Sequence, residues 1–342
     1  MARAYAYTLI AVLTWGSSLA VNKAIVVAAR EGERLTPMQV ALWCVLIGWL
    51  ALLLVLVVRR RLGRLADIAP RGWIVLFAMG CFGWVGSAVA LNLAFARLPL
   101  PDAVVINYLH PAFTVAFQGA AFSAVVRLVS GWEQPVDRRR RPGPARMAVG
   151  LVLCLLGVAV IASEGRLGRL GAVRSVVGAG AALCAAMSWG VYSNLGRFVT
   201  VKPGRAATGL SDVHTFVAMT FGLAIMGLML TASGESGLPN GYFTRMFFFT
   251  LGPGQVNVWP LLVGMGVIVY GLGFTLWLYA MELGARFGQA HRLPPLAYLS
   301  PVLAVAVGWA LLREGFGPGF WGGTVLIVAG NGVNLLGRGK AR

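Results

Sequence analysis

About ten apolar runs follow one another along the chain, at roughly 4–28, 38–58, 72–96, 102–126, 147–164, 175–199, 211–232, 258–282, 287–312 and 318–337. Each is near the ~20 residues that a helix needs to cross the hydrocarbon core of a bilayer. A membrane β-strand needs only about 10 residues and alternates apolar with polar positions, a pattern these runs lack. The expected fold class is therefore all-α integral membrane, with ten transmembrane helices. The spacing leaves no room for a soluble domain, in keeping with a chain that is 58% hydrophobic and only 12% charged. The first run follows Arg3 and is broken only by Asn22 and Lys23 before Ile25. It exceeds the apolar core of a signal peptide and reads as an uncleaved first span.

A formal net charge of +18 would raise the question of nucleic acid in a soluble domain. Here the cations sit in short segments between apolar runs, which is a topology signal, and no nucleic-acid partner is expected. Counted on alternate sides, twenty Lys and Arg fall with the two termini and eight on the other side, although Arg166, Arg169 and Arg174 are among the eight. Both termini are thus expected in the cytoplasm. The largest cationic group is Arg138-Arg139-Arg140-Arg141, in the connection 127–146. The other long connection, 233–257, carries Phe243-Thr244-Arg245-Met246-Phe247-Phe248-Phe249 and reads as an interfacial amphipathic segment or a plain loop. Cys44, Cys81, Cys154 and Cys184 all lie within apolar runs and have neither disulfide nor metal-ligand spacing.

Internal repetition organises the rest. Tyr108-Leu109-His110-Pro111 recurs as Tyr298-Leu299-Ser300-Pro301, and Leu13-Thr14-Trp15-Gly16-Ser17 is echoed by Met187-Ser188-Trp189-Gly190-Val191. The matches place spans one to five against spans six to ten in the same order. Five is odd, so the second set enters the membrane from the opposite side. The expected organisation is two inverted five-helix repeats, residues 1–165 and 166–342. Pro111 and Pro301 each remove a helical hydrogen bond and clash with the preceding turn, so both runs should be broken near mid-membrane. Paired broken helices are a common way to build a transporter's substrate site.

The candidate substrate-binding residues cluster at these repeats: Trp15, Asn107, Tyr108, His110, Trp189, Tyr192, Asn194, Tyr298 and Ser300. Asn107, Tyr108, Tyr298 and Ser300 flank the breaks and can hydrogen-bond a substrate's amino and carboxylate groups, or another helix. Trp15 and Trp189 lie mid-span, away from the interfaces where tryptophan usually anchors, and read as an aromatic wall or as core. His110 is an ionisable group at bilayer depth, where such groups face a cavity or a partner. It reads as a proton-coupling group or as a neutral imidazole bonded to a carbonyl freed by Pro111. Lys23 is expected to snorkel outward. Glu282 and Arg286 have the spacing of a helical ion pair, and His214 reads as interfacial. Gly80, Gly83 and Gly86, and Gly264, Gly266, Gly271 and Gly273, form small-residue stripes that let helices approach closely.

Thr14-Trp15-Gly16-Ser17-Ser18, Tyr298-Leu299-Ser300-Pro301-Val302-Leu303-Ala304 and Leu312-Arg313-Glu314-Gly315 resemble segments of the drug/metabolite transporter superfamily, EamA branch. Ile106-Asn107-Tyr108-Leu109-His110-Pro111 and Ser188-Trp189-Gly190-Val191-Tyr192-Ser193-Asn194-Leu195 resemble the YddG-type aromatic amino-acid exporters within it. The resemblance covers nearly the whole chain. It implies a bacterial inner-membrane carrier that exports amino acids or related metabolites from a central cavity. His110 stands where that subfamily usually has tryptophan, which puts aromatic substrates in question, and the four-arginine segment looks like an insertion.

These readings converge on an alternating-access exporter of small metabolites, amino acids first. Its expected partners are a small-molecule substrate and lipid, and it needs no cofactor or metal and works as a monomer. A broader drug or metabolite exporter is the alternative within transport. A membrane-embedded enzyme would need a paired acid and base or a metal cluster, and the Asp, Glu and His residues are scattered over separate segments. A non-transporting scaffold is the remaining alternative.

Overall fold

The protein was analysed as a computed structural model that describes residues 1–31, 36–98, 100–117, 120–130, 144–162, 176–199, 210–234, 248–251, 254–287, 289–303 and 318–335. Arg138–Arg141 and the segment with Arg166, Arg169 and Arg174 lie outside the described residues. The helices are α1 (Ala2–Glu31), α2 (Pro37–Val58), α3 (Pro70–Arg97), α4 (Leu100–Asn107), α5 (His110–Ala116), α6 (Ala120–Ser130), α7 (Pro144–Ala162), α8 (Val176–Leu195) and α9 (Ser211–Ala232). Helix α10 starts as Val258–Gly264, passes through Met265–Gly273 and ends as Phe274–Arg286; α11 is Pro318–Leu335. Among the described residues, six helices are long and apolar enough to cross a membrane, and Ala148–Val160 and Trp321–Gly330 are shorter apolar stretches. Large apolar side chains such as Leu54, Leu128, Leu228 and Trp321 point outward, as expected of a surface that meets lipid. The chain is a multi-pass membrane protein.

Local chemistry accounts for the ends of the best-defined helices. Thr36 and Gln39 close a reciprocal capping box at the start of α2, where Pro37 occupies the first turn and gives up a hydrogen bond that no residue there could make. Pro70 opens α3 in the same way. Both predicted breaks are present. The first run stops at Asn107, turns through Tyr108 and Leu109, and restarts at His110, so Pro111 falls in the first turn of α5, where its missing N–H costs least. The second run is 3₁₀-helical from Pro294 to Leu299 and becomes α-helical at 300–303. Ser300 and His110 therefore occupy corresponding starts.

Three features differ from the sequence reading. The connection 233–257, read as an amphipathic segment or loop, ends in a two-stranded antiparallel hairpin, β1 (Phe248–Leu251) with β2 (Gly254–Asn257), so the described fold is helical apart from this short ribbon. Gly80–Val89 in α3 and Met265–Gly273 in α10 are π-helical, with one residue more per hydrogen-bonded ring than an α-helix, a departure that period-3.6 patterning does not signal. Lys23 does not snorkel: its ammonium donates to the Phe95 carbonyl and, at 2.9 Å, to that of Leu98. It thus caps the C-terminal end of α3, where unsatisfied carbonyls and the helix dipole favour a cation.

The long helices pack in crossed pairs. The π segment of α10 lies on α2, and the π segment of α3 lies on α9. Glycine sets both contacts: a Cβ at Gly48 of α2 would come 2.8 Å from the Gly266 carbonyl oxygen, and one at Gly222 of α9 would come 2.5 Å from Trp84 Cβ. Helix α7 pairs with α11, where added Cβ atoms at Gly157 and Gly330 would each come 2.6 Å from a carbonyl oxygen of the other helix. Small residues permit this approach, and in lipid, where helix association has little hydrophobic drive, close packing is a main source of affinity between helices.

Candidate functional site

The two breaks meet at the centre of the molecule through α1 and α8. Gly16 of α1 touches the second break, where an added Cβ would lie 2.7 Å from the Ser300 carbonyl oxygen, and Ser300 Oγ donates to the Val12 carbonyl at 3.2 Å. Gly190 of α8 touches α5, where an added Cβ would lie 2.8 Å from Phe113 Cβ. Asn194 Nδ2 ties the same two helices, donating to the carbonyls of Thr114 at 2.8 Å and Gly190 at 2.9 Å. The breaks also face one another, the rings of Tyr108 and Tyr298 lying 6.4 Å apart.

Between these elements lies a cavity with about 640 Å³ of empty volume, its open mouth included. Of the nine candidate residues, six line it: Trp15, Asn107, Tyr108, His110, Trp189 and Ser300. Tyr192, Asn194 and Tyr298 are buried behind the lining. Asn194 serves as the helix tie just described, and the Tyr192 ring packs on Trp84, Trp189 and Phe274. Pro111 and Pro301 are buried at the breaks.

One side of the cavity is an aromatic wall. Trp15 and Trp189 meet edge to face with ring centres 4.8 Å apart, and Phe274 lies 4.8 Å from Trp189 and 5.8 Å from Trp15. Such arrangements stabilise beyond the area they bury. Trp277 braces both tryptophans from behind, its indole N–H donating to Ser193 Oγ at 3.0 Å. The polar lining comprises Ser18, Asn22, Ser87, Asn107, His110 and Ser300, and none of the described lining residues is Asp, Glu, Lys or Arg. Four buried polar atoms of lining residues have no hydrogen-bond partner among the described residues: the indole nitrogens of Trp15 and Trp189, Asn22 Oδ1 and His110 Nδ1. Buried polar groups are rarely left so, and these four are available to a bound molecule or to water.

A multi-pass chain with paired breaks around a largely aromatic cavity, none of whose described lining residues is charged, narrows the choice of families, and a direct comparison decides it. A model of the EamA-like transporter family matches residues 2–130 and, again, 176–336. The chain belongs to the EamA-like transporter family. Members of this family, within the drug/metabolite transporter superfamily, are built from two repeats and are transporters, not enzymes. Among solved structures, one titled only as the crystal structure of a protein superposes with a TM-score of 0.64 at 21% identity, covering 98% of this chain and 97% of that one, and shares its fold. None of the curated proteins compared matches.

Several lining residues of this EamA-like transporter carried no signal in the sequence. Tyr270 and Phe274 sit in the apolar run of α10 with no proline beside them to mark a break, and Ser87 merely follows the Gly80, Gly83 and Gly86 stripe. Their approach to the cavity depends on the π-helical segments, which rotate the face presented to it. The stripe itself was the usable signal: an added Cβ at Gly83 would come 2.3 Å from the Tyr192 ring, and one at Gly273 would come 2.9 Å from Trp15 Nε1.

Proposed function

We propose that this transporter exports small amphipathic metabolites, amino acids first, by alternating access through the central cavity. In this reading ten spans form two inverted five-helix repeats, 1–165 and 166–342, in a bacterial inner membrane, with both termini cytoplasmic and the monomer as the working unit. The observation that carries the substrate class is the cavity's pairing of an aromatic wall with unpartnered indole N–H groups and an amide carbonyl, with no charged side chain among the described lining residues. A net-neutral molecule with an apolar body and a polar head that both donates and accepts fits such a surface. The crossed packing of α2 on α10 and of α9 on α3, with glycines at matching positions, supports the inverted arrangement. The test is counterflow in proteoliposomes with labelled aromatic, branched and thiol-containing amino acids. Uptake above empty liposomes is expected for at least one class. Uptake of none would overturn the reading, and competition by cationic dyes would instead mark a broader drug exporter.

His110 is the proposed proton-coupling residue. Its ring lies 5.5 Å from Tyr108 and 5.7 Å from Trp189, at the start of α5 and on the cavity surface. His110→Gln keeps the hydrogen-bonding capacity and removes the titratable proton. It is expected to leave counterflow without a gradient within about threefold of the parent while losing the acceleration by a pH gradient. A gradient response unchanged from the parent would remove His110 from this role.

A further inference from the structure

At the face away from the cavity, side chains from three helix ends form a charged cluster. Arg61, just past the end of α2, donates from Nη1 to Asp212 Oδ2 at 2.6 Å and to the Tyr279 hydroxyl at 3.1 Å. Asp212, in the first turn of α9, is buried, and its other carboxylate oxygen accepts from the Val213 backbone N–H at 2.9 Å. Beside it, Ser211 Oγ donates to Glu282 Oε2 at 2.8 Å, and Glu282 Oε1 pairs with Arg286 at 2.5 Å. The Tyr7 ring of α1 lies 6.2 Å from that of Tyr279. Arg61 comes from the first half of the chain, and Asp212 and Tyr279 from the second.

The cavity lies further along these helices, toward their middle. It is lined by the middle of α1, from Trp15 to Asn22, and by the C-terminal half of α3, from Ser87 to Leu91. From α10 it takes the N-terminal part, from Met265 to Phe274. The cluster occupies their ends: Tyr7 near the start of α1, and Tyr279, Glu282 and Arg286 in the last two turns of α10. Helices α2 and α9 have equal length, and aligning them end to end puts Met38 opposite Asp212. The Arg61–Asp212 pair ties the two halves together at this face.

From this buried pairing across the halves we infer that Arg61 and Asp212, with Tyr279 as the second acceptor, form an ionic latch between them. It holds the Arg61 face closed while the cavity opens on the other side, and it must part once in every transport cycle. Separating a buried carboxylate from its arginine is costly, whereas the closed arrangement satisfies both. The latch thus favours the conformer seen here, and removing it shifts the population toward the opposite opening.

The inference rests on the alternating-access reading, so its test measures accessibility and not transport. Ser18→Cys reports on the cavity lining in a chain whose accessible cysteines, Cys81 and Cys184, are replaced by alanine; Cys44 and Cys154 are fully buried. A membrane-impermeant maleimide is applied to right-side-out and inside-out vesicles, and the ratio of labelling from the two faces is read. The parent is expected to label mainly from the cavity face. Arg61→Ala and Asp212→Asn should each move the ratio at least threefold toward the Arg61 face, and the swap Arg61→Asp with Asp212→Arg should return it toward the parent. Tyr279→Phe, which removes one hydrogen bond and no charge, should move it the same way by less, and it serves if a charge variant fails to give monodisperse protein. Monodisperse variants with an unchanged ratio, or a swap no nearer the parent than the single changes, would overturn the latch while leaving the cavity reading intact. A parent that labels from neither face would overturn both.

Discussion

Trp189→Ala is expected to abolish counterflow and to lower stability by about 3–5 kcal/mol, the usual cost of truncating a buried tryptophan. The size of the effect follows from where the ring sits. It lies within 4.8 Å of both Trp15 and Phe274, centre to centre, and it borders His110, Tyr192 and Trp277 at 5.7, 5.7 and 6.0 Å. Its removal would therefore leave five rings without a common neighbour and the aromatic wall without its centre. Trp189→Phe separates the two contributions of the side chain. It keeps a ring in place but lacks the indole N–H, which has no partner among the described residues. If that N–H serves the transported molecule, Trp189→Phe should retain most of the thermal stability in detergent and lose up to about tenfold in transport, the worth of one net hydrogen bond. Wild-type counterflow by Trp189→Ala would show that the wall is not part of the path.

The breaks were legible in the sequence because proline at Pro111 and Pro301 acts on its own backbone, whatever surrounds it. The repeats were legible for a related reason. Trp15-Gly16 and Trp189-Gly190 combine the largest side chain with the smallest, and the fold uses both, the ring in the cavity wall and the glycine against a break. What depended on tertiary partners was hidden. Lys23 looked like a cation in need of headgroups because its true acceptors, the Phe95 and Leu98 carbonyls, lie some 70 residues away and exist only once α3 ends there. Asn194 and Tyr192 carried the right chemistry for a site, but Asn194 is used to tie α8 to α5 and Tyr192 packs on Trp84 of α3 behind the lining. Phe274 had no local mark at all. Its role follows from a π-helical segment whose extra residues per turn no hydrophobic period reveals. Asp212 and Arg61 lie 151 residues apart in the sequence, and the packing of α9 against the end of α2 joins them.

Gly16→Ala and Gly190→Ala should each reduce transport by at least about tenfold, whereas Gly180→Ala and Gly264→Ala should not. The four substitutions add the same single methyl group to a helix, so the difference tests close approach and not helix propensity. At Gly16 the new Cβ would meet the Ser300 carbonyl oxygen and Leu303 Cβ at 2.7 Å, and at Gly190 it would meet Phe113 Cβ at 2.8 Å and Thr114 N at 3.0 Å. Backbone atoms and Cβ carbons cannot swing aside as the end of a flexible side chain can, so the broken helix itself must move. Overpacking of this kind costs about 1–3 kcal/mol. The displaced elements carry Ser300 on one side and the turn after His110 on the other, so the strain falls on the cavity and not on a remote surface. At Gly180 and Gly264 nothing lies within 4 Å of the added atom. There alanine should be neutral, or stabilising by up to about 1 kcal/mol, since glycine is the poorer helix former. Counterflow and thermal unfolding on the four variants decide the matter. If Gly16→Ala and Gly190→Ala transport as well as the two controls, then the contact between each Trp-Gly pair and the opposing break does not set the geometry of the site.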